Sequence, residues 1–202
     1  MEIVEIKKWD FEYDGDWLKA DVPGNNFSDL LDQNVIPDPF YGTNEDSVQW
    51  VSEREWVYRS NFKLSQDFLL KDKHEIIFHG LDTYASVYLN DSLILNANNM
   101  FRRWSVPLKG VLKETNILVV KFQPTSFHEN KKEKNLGYKL PGGKKVHTRK
   151  AGFHYGWDWG PKISVSGIWK PIELKGYNRS YIKDIYIEQK EIFDSLAKLK
   201  VN

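Results

Sequence analysis

An all-β fold, an antiparallel β-sandwich of jelly-roll type, is predicted by three features of this 202-residue chain. Short segments that alternate bulky and polar residues recur at turn-punctuated intervals. Only one stretch reads as a helix. Aromatic residues make up 14% of the chain, with 8 Trp, 10 Tyr and 11 Phe, and such side chains suit the half-buried faces of sheets. A chain of this length can also bury a full hydrophobic core.

Between residues 9 and 20 the alternation is interrupted once, at Asp14-Gly15-Asp16, which predicts two short strands and a tight turn. Val22-Pro23-Gly24-Asn25-Asn26 breaks the pattern. Phe27-Ser28-Asp29-Leu30-Leu31-Asp32-Gln33 predicts a short helix capped by Ser28. The prolines of Ile36-Pro37-Asp38-Pro39 stop it, because proline fixes the backbone and removes a donor. Phe40 and Tyr41 are the expected anchors of the loop that follows, with Asn44-Glu45-Asp46 capping the next segment. Trp56, Tyr58, Ser60, Phe62 and Leu64 share one register of a strand. Residues 73–81, 84–89 and 93–95 continue the sheet, the last two joined through Asn90-Asp91-Ser92. Val106-Pro107-Leu108 and residues 116–122 add strands, the second stopped by Pro124. Residues 163–165 and 169–175 predict two more around Gly167, and 182–189 and 197–201 alternate again. Two strands do not make a stable sheet alone. Residues 1–178 are therefore expected to form the jelly roll, and 179–202 the opening of a second β domain.

The formal net charge of +1 argues against a dedicated nucleic-acid or acidic-substrate protein. Cysteine is absent, so thiolate metal sites, disulfides and a cysteine nucleophile are excluded. No metal or cofactor is expected. No apolar run approaches a membrane span, and no membrane partner is expected. Between residues 128 and 150 the strand pattern lapses and Lys131, Lys132, Lys134, Lys139, Lys144, Lys145, Arg149 and Lys150 outweigh Glu129 and Glu133. With the whole chain near neutral, this segment is read as a solvated, mobile insertion rather than a nucleic-acid patch.

Chemistry concentrates in Arg149-Lys150-Ala151-Gly152-Phe153-His154-Tyr155-Gly156-Trp157-Asp158-Trp159-Gly160-Pro161. Glycines and a proline make it a loop. Trp157-Asp158-Trp159 sets an acceptor-only side chain between two flat rings, which suits a pyranose: its C–H face stacks on an indole and its hydroxyls donate to a carboxylate. Core filling by both tryptophans, with turn hydrogen bonds to Asp158, is the alternative.

The order of these motifs resembles one family. Val22-Pro23-Gly24, Ile36-Pro37-Asp38-Pro39-Phe40-Tyr41-Gly42, Gln49-Trp50 with Trp56-Val57-Tyr58, Gly80-Leu81-Asp82-Thr83, Asn99-Met100-Phe101 and Phe153 to Pro161 are similar, in sequence, to the N-terminal domain of the β-mannosidases of glycoside hydrolase family 2. The resemblance implies a galactose-binding-domain-like jelly roll, followed from Ser180 by the first strands of an immunoglobulin-like domain. It implies a parent enzyme hydrolysing terminal, non-reducing β-D-mannose residues of an oligosaccharide or glycoconjugate. The retaining chemistry would use two glutamates on a downstream (β/α)8 barrel, roughly 5 Å apart. No catalytic residue is assigned here: Glu45, Glu53, Glu55, Glu173 and Glu188 read as surface or capping carboxylates. By the same resemblance Trp157 and Asp158 contact substrate, and Trp159, Arg149, Asn99 and Arg102 are candidate loop supports. Two other readings stay open, a free-standing carbohydrate-binding module and the N-terminal domain of a β-galactosidase or β-glucuronidase. The plain N-terminus favours a cytoplasmic enzyme, with an exported or lysosomal one also open.

Overall fold

The computed structural model describes residues 1–182 and 184–202. In chain order the elements are β1 (Glu2–Glu5), β2 (Trp9–Tyr13), β3 (Asp16–Ala20), α1 (Asn26–Asp32), α2 (Asn44–Ser47), β4 (Trp56–Lys63), α3 (Gln66–Leu69), β5 (Lys73–Phe78), β6 (Tyr84–Leu89), β7 (Ser92–Asn98), β8 (Trp104–Leu108), β9 (Thr115–Gln123), α4 (Thr125–Leu136), β10 (Ile172–Tyr177), β11 (Ile187–Phe193) and β12 (Leu196–Val201). Two antiparallel sheets face each other, one of six strands in the order β3-β2-β4-β9-β6-β7 and one of four in the order β1-β10-β5-β8. The chain crosses between them repeatedly, as in a jelly roll.

The alternation read from sequence is what fills the space between the sheets. Trp56, Tyr58 and Ser60 point inward from β4, Leu118, Val120 and Phe122 from β9, and Ile76 and Phe78 from β5. Tyr58 meets the edge of Phe122 with ring centres 5.8 Å apart. Fully burying each such apolar side chain contributes about 1.5–3 kcal/mol. The tyrosine hydroxyl is satisfied as well, donating to Asp29 Oδ2 at 2.8 Å, while Asp29 Oδ1 accepts from the backbone of Asp21 at 2.9 Å. Helix α1 is thereby tied to the middle of the large sheet. Turns follow their residues: Asp14 and Gly15, then Asn90 and Asp91, take the positive φ that tight hairpins require.

Several expectations need correction. The cap of α1 is Asn25, whose side chain accepts from the backbone of Phe27 and Ser28; Ser28 instead returns the contact from the third helical position. Phe40 and Tyr41 anchor nothing, being 75% and 77% exposed. Residues 163–165 lie outside the strands; Gly167 forms an isolated bridge with Asp82 instead, and β10 begins only at Ile172. The strand expected over 182–189 starts at Ile187, and its residue Lys183 lies outside the described residues.

The largest correction concerns 128–150. Thr125–Leu136 is a three-turn helix closed by Gly137 in the left-handed conformation. Its inward face carries Thr125 and Glu129, both buried. Lys132 reaches Tyr84 Oη at 2.8 Å and the carbonyl of His147 at 2.7 Å, and His128 stacks on Tyr84 at 3.7 Å. Far from floating, the basic segment is fastened across one end of the sandwich by polar contacts. No helix among the described residues is long and apolar enough to cross a membrane.

Candidate functional site

At that end the chain leaves the sandwich at Thr148 and returns at Ser166, and the intervening loop carries the aromatic motif. Its start is fixed by backbone pairing: Asn99 and Arg149 form a parallel bridge, and Met100 N donates to Arg149 O at 3.0 Å. Its return is fixed against α1, where Asn26 N donates to Ser166 O and Ser166 N donates to Asn26 Oδ1, each at 2.8 Å. Between these points the two limbs are joined by rungs. Lys150 Nζ donates to Val165 O at 2.6 Å, His154 Nδ1 donates to Ile163 O at 3.2 Å, and Trp157 and Gly160 pair through both backbone groups at 3.0 and 3.3 Å. The last rung leaves Asp158 and Trp159 as a two-residue tip.

The loop is also braced from outside. Tyr155 Oη donates to the buried carboxylate of Glu129 on α4. Burial, with that carboxylate beside it, pushes the phenol well above its ordinary value, so it stays a donor. Glu45 Oε1 accepts from Lys162 N at 2.6 Å, and Gln49 Nε2 donates to Lys162 O at 2.9 Å. Gly156 ends the 3-10 turn of Gly152–Tyr155 at φ +85°, where a Cβ would be strained and would lie 3.2 Å from Lys162 Cβ. Beneath the loop, Lys150 forms an ion pair with Asp82 at 2.6 Å, with His154 Nε2 3.6 Å from the same carboxylate oxygen. Burial lowers the pKa of Lys150 and, together with the Lys150 charge, that of His154, which is held neutral.

This bracing holds out a group of exposed rings. Trp157 is 60% and Trp159 86% exposed. With Phe40, Phe153, Pro161 and Ile163 they line an open concavity of about 570 Å³ whose walls are nearly all carbon. Asp158 is exposed between the two indoles. Such an arrangement can stack a ring and accept hydroxyl donors at its rim. Trp159, expected as a possible loop support, stands at the exposed tip. Arg149 contributes its backbone while its side chain is exposed, Asn99 accepts from Phe101 N at 2.9 Å, and Arg102 lies over Trp104 at 4.3 Å. Sequence reasoning missed Asp82, Glu129, Lys150, His154 and Tyr155 as supports, and Phe40 as part of the wall. Their partners are 9 to 68 positions away, and nothing in local spacing marks them.

Four of the five glutamates read as surface or capping groups have polar partners. Besides Glu45, Glu55 accepts from Gln123, Glu173 pairs with His79, and Glu188 with Lys190.

The profile described as glycosyl hydrolase 2 galactose-binding domain-like matches residues 8–170. The chain belongs to glycoside hydrolase family 2. Within this family it is 33% identical over 192 residues to the β-mannosidase of Bos taurus and 38% identical over 175 residues to β-mannosidase B of Thermothelomyces thermophilus. Those alignments take in 90% and 84% of this chain but 22% and 20% of the relatives, so the chain spans about a fifth of their length. The crystal structure of a β-D-mannosidase from Dictyoglomus thermophilum superposes over the whole chain with a TM-score of 0.94 at 37% identity, covering 26% of that protein. An exo-chitosanase from Amycolatopsis orientalis, 16% identical, has a TM-score of 0.74 over the whole chain and 24% of its own, a likeness of fold alone. This family 2 chain therefore corresponds to one module of longer glycosidases, and the sandwich with its braced loop is the galactose-binding-like domain.

Proposed function

We propose that residues 1–178 are the sugar-contacting module of a β-mannosidase-type retaining glycosidase acting on terminal, non-reducing β-D-mannose residues. The observation that carries this reading is the braced tip. A loop tied at both ends, laced along its length and fastened to two helices presents one carboxylate and two indoles to solvent, where core packing would have buried them. Asp158 is assigned to accepting hydrogen bonds from sugar hydroxyls and Trp157 to forming the wall beside the ring. The two glutamates of the retaining reaction belong, in this reading, to a (β/α)8 barrel beyond residue 202, reached through an immunoglobulin-like domain that opens at 179–202. The division near 178 is supported by the profile match ending at 170 and by β10 ending at Tyr177. A cytoplasmic location is part of the proposal, checked by fractionating cells that produce the full-length protein.

The decisive measurement is kinetic. A charged acceptor contributes about 1.5–3 kcal/mol per good hydrogen bond, or about 10- to 150-fold. Asp158→Ala in the full-length protein should lower kcat/KM for an aryl β-mannoside by at least that factor, while aryl β-galactosides and β-glucuronides remain poor substrates of both forms. Unchanged kcat/KM would remove Asp158 from the site. The 202-residue chain alone should hydrolyse none of these. Calorimetric titration of that chain with mannose and mannobiose separates the module that needs its barrel, which gives no saturable heat, from a free-standing carbohydrate-binding module, which does.

A further inference from the structure

The lowest rung of the Trp157-Asp158 loop is built from two charges that water does not reach. The Lys150 side chain is fully buried and that of Asp82 is 2% exposed. One ammonium group donates both to Asp82 Oδ2 and to Val165 O, each at 2.6 Å. Asp82 is itself fixed, since its backbone pairs in both directions with Gly167 and its second oxygen accepts from Thr83 Oγ1. A single side chain therefore joins three things: the outgoing limb at 150, the returning limb at 165, and the segment that leads into β6. His154, one turn further along the loop, faces the same carboxylate.

Stability gives little reason for such a pair. Desolvating two charges costs about as much as their attraction returns, and well-packed apolar replacements of similar volume are often neutral or stabilising. What a pair of this kind supplies is direction. An ammonium with two short, angularly defined bonds fixes where both limbs sit, whereas apolar side chains in the same space would let them slide. The rungs at His154 and at Trp157 with Gly160 lie further out along the same two limbs.

We propose that Asp82 and Lys150 are positioning residues, whose buried ion pair locks the base of the loop and so sets the reach of the Trp157-Asp158 tip. The inference rests on the sugar-contacting role proposed for that tip. Neither residue touches sugar.

The test uses the full-length protein carrying Asp82→Asn together with Lys150→Met, a near-isosteric pair of changes that leaves no lone buried charge. Amides of β4 and β9 should keep their hydrogen-exchange protection, while those of Trp157 and Gly160 exchange at least tenfold faster. KM for an aryl β-mannoside should rise about tenfold with kcat within threefold. Wild-type exchange at both loop amides in the folded double variant overturns the proposal. If the double variant does not fold, Lys150→Arg alone decides, because it keeps the charge pair while moving its donors, with at least threefold faster exchange expected at the same two amides and unchanged exchange overturning it. Exchange is read without sugar. An inert Asp158→Ala would therefore remove the sugar role while leaving the exchange result standing, and unchanged exchange would remove the positioning role while leaving that of Asp158.

Discussion

Asp29 holds α1 to the large sheet with two hydrogen bonds, yet its burial makes the charged form costly and pushes its pKa from 3.8 up to about 6. The sign of the consequence is opposite to that of a salt-bridged carboxylate. A carboxyl whose folded pKa is raised binds its proton more tightly in the native state, so its contribution is full below pH 3.8 and is lost as pH rises through about 6. The size is about 3 kcal/mol, from a shift of roughly two units at 1.36 kcal/mol each. Asp29→Asn can still accept from Asp21 N and can donate to Tyr58 Oη. Urea unfolding at pH 4, 5, 6 and 7 should show the variant gaining on the parent chain by about 2–3 kcal/mol across that range, and parallel curves would refute it. His154 acts in the other direction. Its folded pKa is depressed, by burial first and by Lys150 second, so its contribution is present above the unfolded value of 6.5 and is lost as pH falls towards the folded one. Charging this ring places a cation beside the buried Lys150 ammonium.

Among the elements, the junction of α4 with the motif loop depends on one hydroxyl. Tyr155→Phe removes the donor to Glu129, leaving a buried carboxylate short of a partner, which costs about 1–3 kcal/mol. Chemical denaturation should report that loss, and Tyr155→Phe combined with Glu129→Leu should recover part of it; a double variant as weak as the sum of its parts would argue against the pairing. The same junction shows what the sequence hides. The β-strands were legible because Trp56, Tyr58 and Ser60, or Leu118, Val120 and Phe122, alternate against a core, and alternation is written locally. Helix α4 has no apolar stripe; it buries a threonine and a glutamate, so no hydrophobic period announces it and its lysines read as a solvated tail. In the site, chemistry singled out Trp157-Asp158-Trp159 with core filling as the alternative, and the structure leaves all three exposed. The lacing was not legible, because Lys150 is 68 positions from Asp82 and Tyr155 is 26 from Glu129. Phe40 and Tyr41 misled for a related reason: an aromatic pair among prolines suggests burial, but Phe40 faces the concavity.

At the scale of the whole molecule, the sandwich and the final hairpin differ in what holds them. Among the described residues strands β11 and β12 pair only with each other, and Ile187, Ile192, Phe193, Leu196, Leu199 and Val201 are all more than half exposed. A two-stranded sheet is marginal by itself, and a hairpin with apolar side chains and open edges is a template for pairing with another copy. Among the described residues the hydroxyl of Tyr181 donates to Glu75 Oε1 and Tyr177 stands edge-on to Tyr181 at 4.6 Å, and both contacts tie this region to the sandwich. Glu75 also accepts from Ser105 on β8 at 2.7 Å, so it keeps a partner when Tyr181 is gone. A chain ending at Asn178 should therefore unfold within about 2–4 °C of the 202-residue chain, the shift that a loss of roughly 1 kcal/mol produces in a domain of this size. Self-association should differ far more. In sedimentation velocity between 10 µM and 1 mM, the 202-residue chain should show a rising weight-average coefficient while the shortened chain stays monomeric. Equal association by both would move the adhesive surface to the sandwich, with the exposed rings of Phe40, Trp157 and Trp159 as its centre. Asp158→Lys, which sets a cation between the two indoles, would then reduce association in either chain, whereas it should leave association through the hairpin untouched.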